Sequence, residues 1–335
     1  MQTMHAVALT HGLPIDDEQS LIDVELPVPE PGSRDVLIEV LAASVNPVDV
    51  KQRSGSPELD APRVLGFDGA GIVRAVGADV TLFAPGDEVW WAGQLDRQGS
   101  DADLQLVDER IAGRKPTSLG FASAAALPLT TITAWEALFD KLRLTSADAG
   151  TLLVVGATGG VGSVLLQLVR ELLPSVRTVA TASGAENEAW VRDLGASEVV
   201  DHHADLVAQV RRIAPEGVDW IFSAHSAGRA ADYAALLRPF GAIVAIDSGR
   251  DVDFDLLKSK SLSWHWEYMF TRPVQRSSDM ITQHEVLDAV ATLVDEHRVV
   301  STATTVLRGW DAATFREAHR LVESGHTVGK VVVER

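Results

Sequence analysis

The chain has 335 residues, 46% of them hydrophobic and 23% charged, which is the composition of a globular protein with room for two domains, not of a disordered, collagen-like or membrane-embedded chain. A formal charge of −18, with no dense Lys/Arg cluster to offset it, repels nucleic-acid backbones and anionic lipid, so neither is an expected partner. Cysteine is absent, which excludes disulfides, catalytic thiols and every zinc site that needs a thiolate.

The first segment, MQTMHAVALTHG, has neither a basic start nor an apolar run of signal length, and the cytoplasm is the expected compartment. The first third is dense in Gly and Pro and carries short β-branched runs at Val36–Val40, Gly71–Val76 and Glu88–Trp91, a small β-rich domain. From Phe121 the texture changes to an Ala-rich helical pattern ending at Leu127, then Pro128, then a second helical stretch over Thr133–Lys141. After Gly150, strand-like runs at 152–155, 178–181, 198–200, 220–222, 242–246 and 261–266 alternate with helical stretches that include 161–172 and 186–194. That alternation predicts a parallel sheet wrapped by helices. Helices over 278–296 and 312–324 and a strand over 330–334 close the chain.

The run LLVVGATGGVG at 152–162 passes from an apolar strand into an apolar helix, and its four glycines exclude a bilayer span. Gly156, Gly159, Gly160 and Gly162, with Thr158 and Val161 between them, stand where a backbone turns tightly and approaches a pyrophosphate, which the following helix N-terminus would hold. The alternative is a Gly-rich turn that only lets strand and helix pack closely. An acidic residue about 20 residues beyond the loop would select NAD by binding the ribose diol. The chain there reads Thr181-Ala182-Ser183-Gly184, with no carboxylate, so NADPH is favoured, with NADH as the alternative and Ser183 as a hydrogen-bond donor to the 2′-phosphate. No Arg or Lys stands beside Ser183, and Glu186 and Glu188 follow it.

Several segments together resemble the zinc-free quinone oxidoreductase and enone reductase branch of the medium-chain dehydrogenase/reductase superfamily. They are ASVNPVDVK at 43–51, LGFDGAG at 65–71, PGDEV at 85–89, AALPLTTITAW at 125–135, the glycine loop, Leu194-Gly195-Ala196 and Gly329-Lys330-Val331. Within that branch the WHWEYMF segment at 264–270 is similar to a subgroup labelled zinc-type alcohol dehydrogenase-like. The resemblance implies an α/β fold: a GroES-like β-rich domain over 1–125, a Rossmann doubly wound parallel sheet over 126–272, and a return to the first domain over 273–335. It further implies an active site in the cleft between the domains. Thr130 and Thr131 fall where the family contacts the nicotinamide side, with a helix cap as the alternative. Lys330 belongs with the cofactor-binding positions that it suggests. A homodimer is implied as well, paired through the last Rossmann strand, here about 261–270, whose aromatics suit a buried interface.

The zinc in the subgroup's label is what these residues contradict. In the zinc alcohol dehydrogenases a Cys holds the catalytic metal where this chain has Asn46, and a His where it has Phe67; the second metal needs four cysteines. His202, His203, His225 and His265 have no zinc-ligand spacing, so no metal and no zinc cofactor is expected. Reducing an alkene conjugated to a carbonyl develops negative charge on the carbonyl oxygen, and hydrogen-bond donors suffice for an enolate, which is a more stable anion than an alkoxide. A small-molecule enone or quinone is therefore the expected substrate. Asn46-Pro47-Val48-Asp49-x-Lys51 resembles the enone reductase pattern in which the lysine faces the substrate, so Lys51 is the candidate oxyanion donor; a solvated surface lysine is the alternative. Asn46 would orient the substrate or the nicotinamide ribose. Asp49 completes the candidate catalytic set, or holds the loop by accepting backbone N–H bonds. A short-chain Tyr-x-x-x-Lys pair fails, because Tyr233 and Tyr268 are followed at that spacing by Leu237 and Arg272. Two rival readings are a zinc-dependent alcohol dehydrogenase with an unrecognised site and a non-catalytic nucleotide-binding protein.

Overall fold

The computed structural model describes residues 2–335; Met1, the first residue of the segment read for a targeting signal, lies outside them. In chain order the strands are β1 (Thr3–Leu9), β2 (Ile22–Pro27), β3 (Asp35–Val45), β4 (Arg63–Val64), β5 (Asp68–Val76), β6 (Glu88–Ala92), β7 (Leu104–Asp108), β8 (Ala112–Arg114), β9 (Gly150–Val155), β10 (Val176–Thr181), β11 (Glu198–Val200), β12 (Val218–Ser223), β13 (Leu237–Ala245), β14 (Ser263–Trp266), β15 (Ala303–Arg308) and β16 (Lys330–Glu334). The chain divides into two compact units, residues 1–129 with 270–335, and residues 130–269. No helix among the described residues is long and apolar enough to cross a membrane.

The first unit is the GroES-like one. Its larger sheet runs β15-β16-β3-β5-β6-β8, with β7 also paired to β3. The β-branched run DVLIEVLAASV makes β3 the centre of this sheet: it pairs antiparallel with β5, β7 and β16 and is buried along most of its length. Pairing of Val331–Glu334 with Ala42–Val45 brings the end of the chain onto its first third. Val36, Ile38, Trp91, Phe315 and Val333 are among the apolar side chains that fill the core beneath. A second sheet, β2-β1-β4, uses a strand pair that the sequence hides, because Thr3–Leu9 is Ala-rich and lacks alternation.

The second unit holds the Rossmann-type sheet, in the order β11-β10-β9-β12-β13-β14 with every pairing parallel. Counted from its own first strand this is the order 3-2-1-4-5-6, whose reversal lies between β9 and β12, where α/β sheets open a crevice for ligands. The helix expected from Thr133 instead begins at Pro128 and runs to Trp135, followed by a π-helical turn over Glu136–Lys141. Proline is tolerated at the first helical position because its missing N–H would have no partner there. The strand expected from 261 shortens to Ser263–Trp266, since Ser261 adopts a left-handed φ of 52° that no strand accommodates.

Candidate active site

In the second unit, β9 leaves the sheet at Val155 and the chain turns through Gly156, whose φ is +85°, into the helix Gly160–Leu172. The backbone N–H of Gly156 donates to Thr181 Oγ1 at 3.0 Å, which ties the turn to the end of β10. The glycines divide the work. A Cβ at Gly162 would stand 2.5 Å from Gly156 O and 2.6 Å from Ala157 Cα, so this glycine lets helix and loop pack. A Cβ at Gly159 would meet only Gly156 O at 3.5 Å, so this one faces open space. Gly159 is also the N-cap and offers no side-chain bond, which leaves the first-turn N–H groups of Gly160, Val161 and Gly162 without a side-chain cap. Thr158, Gly159, Gly160 and Val161 are all partly exposed. An open cradle, uncapped N–H groups and a positive dipole end fit a pyrophosphate.

Ser183 lies two residues beyond β10, partly exposed, with its carbonyl accepting from Asn187 Nδ2 at 2.9 Å. Thr130 and Thr131 are buried inside the first turn of the helix Pro128–Trp135, so neither is its cap; the Thr131 hydroxyl has no hydrogen-bond partner.

In the first unit, the candidate residues meet in a buried polar cluster. The Lys330 ammonium donates to Val45 O at 3.1 Å, Asn46 Oδ1 at 2.5 Å and Asp68 Oδ2 at 3.0 Å. Asn46 Nδ2 in turn donates to Asp68 Oδ2 at 2.8 Å and to Ser44 O at 3.2 Å. Asp68 Oδ1 accepts the N–H of Leu129 at 2.7 Å. All three protons of Lys330 are thus committed within this cluster and none is left for a phosphate; its place is beside Asn46, which it fixes. Asp68 and Lys330 stand 262 positions apart, and no spacing in the sequence pairs them.

Asn46 precedes the helix Pro47–Ser54. Asp49 accepts the N–H of Asn46 at 2.8 Å and the N–H of Gly66 at 3.0 Å, so its geometry is that of the loop-holding alternative. Burial pushes the Asp49 carboxyl up to about 7, against the lowering effect of those two N–H groups and of Lys330. The neighbouring Asp101 is buried, has no hydrogen-bond partner on either oxygen, and is raised well above the usual range by burial and by the Asp49 charge. Lys51, in contrast, is exposed in the last turn of the same helix. Phe67 is buried, and its ring packs edge-on against Phe270 with centroids 5.0 Å apart.

A donor set for zinc is not assembled around Asn46 and Phe67. The amide of Asn46 is engaged through both its oxygen and its nitrogen, Phe67 has no donor atom, and the Asp68 carboxylate is paired with a buried ammonium. Among the described residues the one group of three or more His, Cys, Asp or Glu with ligand atoms within 4.8 Å of one another is Asp201, His202 and His203, which belongs to the second unit.

A GroES-like unit and a parallel Rossmann-type sheet with a glycine turn after its first strand define the fold of the medium-chain dehydrogenase/reductase class. The alcohol dehydrogenase GroES-like domain family matches residues 32–132, and the zinc-binding dehydrogenase family matches residues 194–333. A zinc-type alcohol dehydrogenase-like protein of Staphylococcus aureus is 39% identical over 311 residues, with 91% of this chain and 92% of that protein covered. A mitochondrial NAD(P)H oxidoreductase of Mus musculus is 29% identical over 336 residues, covering 89% of this chain and 81% of that protein. The crystal structure of a protein from Rhizobium etli CFN 42, described as a zinc-dependent alcohol dehydrogenase, superimposes with a TM-score of 0.96 at 47% identity, covering 100% of this chain and 99% of the other. The chain belongs to the medium-chain dehydrogenase/reductase superfamily and is an oxidoreductase of the NAD(P)H type.

Proposed function

We propose that this protein is an NADPH-dependent reductase of small enones or quinones that works without a metal. The observation that carries the reading is the cluster around Asn46: where a zinc enzyme needs metal ligands, this chain has an amide and a carboxylate bound to a buried lysine, next to an aromatic ring. A divalent cation there would meet a fixed positive charge instead of free lone pairs. Gly156, Thr158, Gly159, Gly160, Val161 and Gly162 would hold the pyrophosphate, Ser183 the ribose phosphate, and Thr130 the nicotinamide end. When bound, the dinucleotide supplies a hydride.

The chain's own residues handle the charge. As the β-carbon of an enone gains its C–H bond, the electron pair of the double bond moves toward the carbonyl oxygen, and Lys51 donates a hydrogen bond to that oxygen. Water then delivers the proton to the α-carbon, so no dedicated acid is required. Asn46, held on both sides by Lys330 and Asp68, positions substrate or ribose. Asp49 keeps the Asn46 turn closed through its two N–H bonds. NADPH and NADH oxidation over an enone and quinone panel, with metal analysis of protein purified without added zinc, tests the proposal. Enone turnover with no stoichiometric metal is expected; a stoichiometric zinc, or silence over both substrate classes, overturns it. Lys51→Ala is expected to lower kcat by about 10²-fold, the effect of losing one oxyanion donor, and full activity in that variant would remove Lys51 from the mechanism.

We propose further that the protein is a homodimer joined through β14. This strand is the edge of its sheet, and Trp266 and Tyr268 at and just beyond it are 45% and 49% exposed, an apolar surface of the kind that interfaces cover.

A further inference from the structure

We propose that His202 and His203 form a proton-dependent 2′-phosphate site, so that the preference for NADPH over NADH is set by pH; this rests on the cofactor reading above. In a sheet of this order the adenosine ribose lies past the end of the second strand, here β10. The exit of β10, Ala182-Ser183-Gly184, carries no cation. Its neighbour β11 does. Thr181 is paired with Val200, and the N–H of Ala182 donates to Val200 O at 3.0 Å, so the two strands leave the sheet side by side. Adjacent strands lie about 4.8 Å apart, so the exit of β10 that leads to Ser183 starts beside the exit of β11 that leads to the turn Asp201-His202-His203.

The two imidazole rings lie 4.1 Å apart between centroids, tilted by 41°, and His202 is within electrostatic reach of His225 and Arg229, from the exit of β12. The ring of His225 also borders the glycine turn, 3.3 Å from where a Cβ at Gly156 would stand. Four nitrogen bases from two strand exits therefore gather at the nucleotide end of a chain whose net charge is −18. The opposing charges at the exit of β12 are Asp232, which pairs with Arg229 at 3.7 Å, and Asp247, which accepts the N–H of Ser226 at 2.7 Å. Asp201 accepts the N–H of His203 at 2.9 Å, and Asp205 caps the helix Leu206–Ile213 through the N–H of Ala208 at 2.9 Å. Glu186 and Glu188 stand in the first turn of the helix Ala185–Asp193, which packs on β11 and carries Arg192 in its last turn. Burial and the neighbouring His203, Arg229 and His225 hold His202 below the ordinary imidazole range, against the raising effect of Asp201. An arriving dianion reverses that balance, because it stabilises the imidazolium that its neighbours disfavour, and binding then takes up a proton.

Dissociation constants for NADPH and NADH, measured by fluorescence titration in EDTA between pH 6.5 and 8, test this. The window lies above the second ionisation of a phosphate monoester, about 6, so the ligand's own charge is nearly constant. The ratio of NADPH to NADH affinity is expected to fall about tenfold per pH unit, the slope for one proton taken up. In the double variant His202→Gln, His203→Gln the ratio should be flat with pH and at least about thirtyfold lower at pH 6.5, the fall that one proton per unit gives over this window, with NADH affinity unchanged as a check on folding. A flat ratio in the natural protein, a slope that survives in the variant, or a slope that appears only when zinc replaces EDTA overturns the inference while leaving the cofactor reading intact. Failure of the natural protein to bind either nucleotide overturns both.

Discussion

Lys330 and Asp68 are each almost fully buried, and their pairing shows how a polar group survives inside a small β-rich unit: every acceptor and every proton has a partner. Lys330→Met would leave the Asp68 carboxylate buried without its counter-charge, and a loss of about 3–5 kcal/mol in urea unfolding is expected. Asp68→Asn with Lys330→Met removes both charges and should recover part of that loss; a double variant as unstable as the single would show that the pairing is not what matters. His319 presents the opposite case. It is buried, neither ring nitrogen has a hydrogen-bond partner, and burial together with the Arg53 charge pushes it down to about 3. Its folded pKa lies below the ordinary imidazole value of about 6.5, so its contribution to stability is present above that pH and is lost as pH falls toward 3. Asp49 runs the other way: raised to about 7, it favours folding at low pH and loses that contribution as pH rises through 7. His319→Leu should therefore remove an acid-side slope of about 1.4 kcal/mol per pH unit, seen as a variant that gains stability over the natural protein between pH 6 and 4. Equal pH profiles for the two proteins would place the acid sensitivity elsewhere.

At the level of elements, the turn from β9 into the helix Gly160–Leu172 separates two roles that one motif usually hides. Gly162 carries packing, since its Cβ would overlap the backbone of Gly156 and Ala157, whereas Gly159 has ordinary extended backbone angles and free space beside it. Gly162→Ala is expected to destabilise the fold by about 1–3 kcal/mol through overpacking. Gly159→Ala should leave the melting temperature near that of the natural protein and weaken nucleotide binding by at least about tenfold, because the methyl group occupies the approach of the pyrophosphate. Calorimetry of the two variants beside a nucleotide titration separates these outcomes. Were both variants equally unstable and equally able to bind, the division of labour would be wrong.

At the scale of the molecule, the order of the Rossmann-type sheet ends on a strand of four residues, β14, whose only partner is β13 among the described residues. Trp266→Glu with Tyr268→Glu would place charge on that surface, and sedimentation should show a shift from dimer to monomer with nucleotide binding retained. A monomeric natural protein would end the dimer proposal.

Much of this architecture was legible in the chain itself. Alternating strand and helix patterns after Gly150, the spacing of the four glycines, the absence of cysteine and the side chains at 46 and 67 are local facts, and local facts determine a glycine turn between strand and helix and remove the thiolate ligands of zinc. The positions of strand ends were less legible where one residue's backbone decides, as Ser261 does for β14. What only the tertiary structure decided are contacts between residues far apart in sequence: Lys330 reaches Asn46 across 284 positions because β16 pairs with β3, and the exits of β10 and β11 lie side by side because Thr181 pairs with Val200. A sequence pattern records which face a residue prefers, whereas which distant residue shares that face depends on how strands pair, and pairing is settled by the burial and hydrogen bonding of the whole sheet.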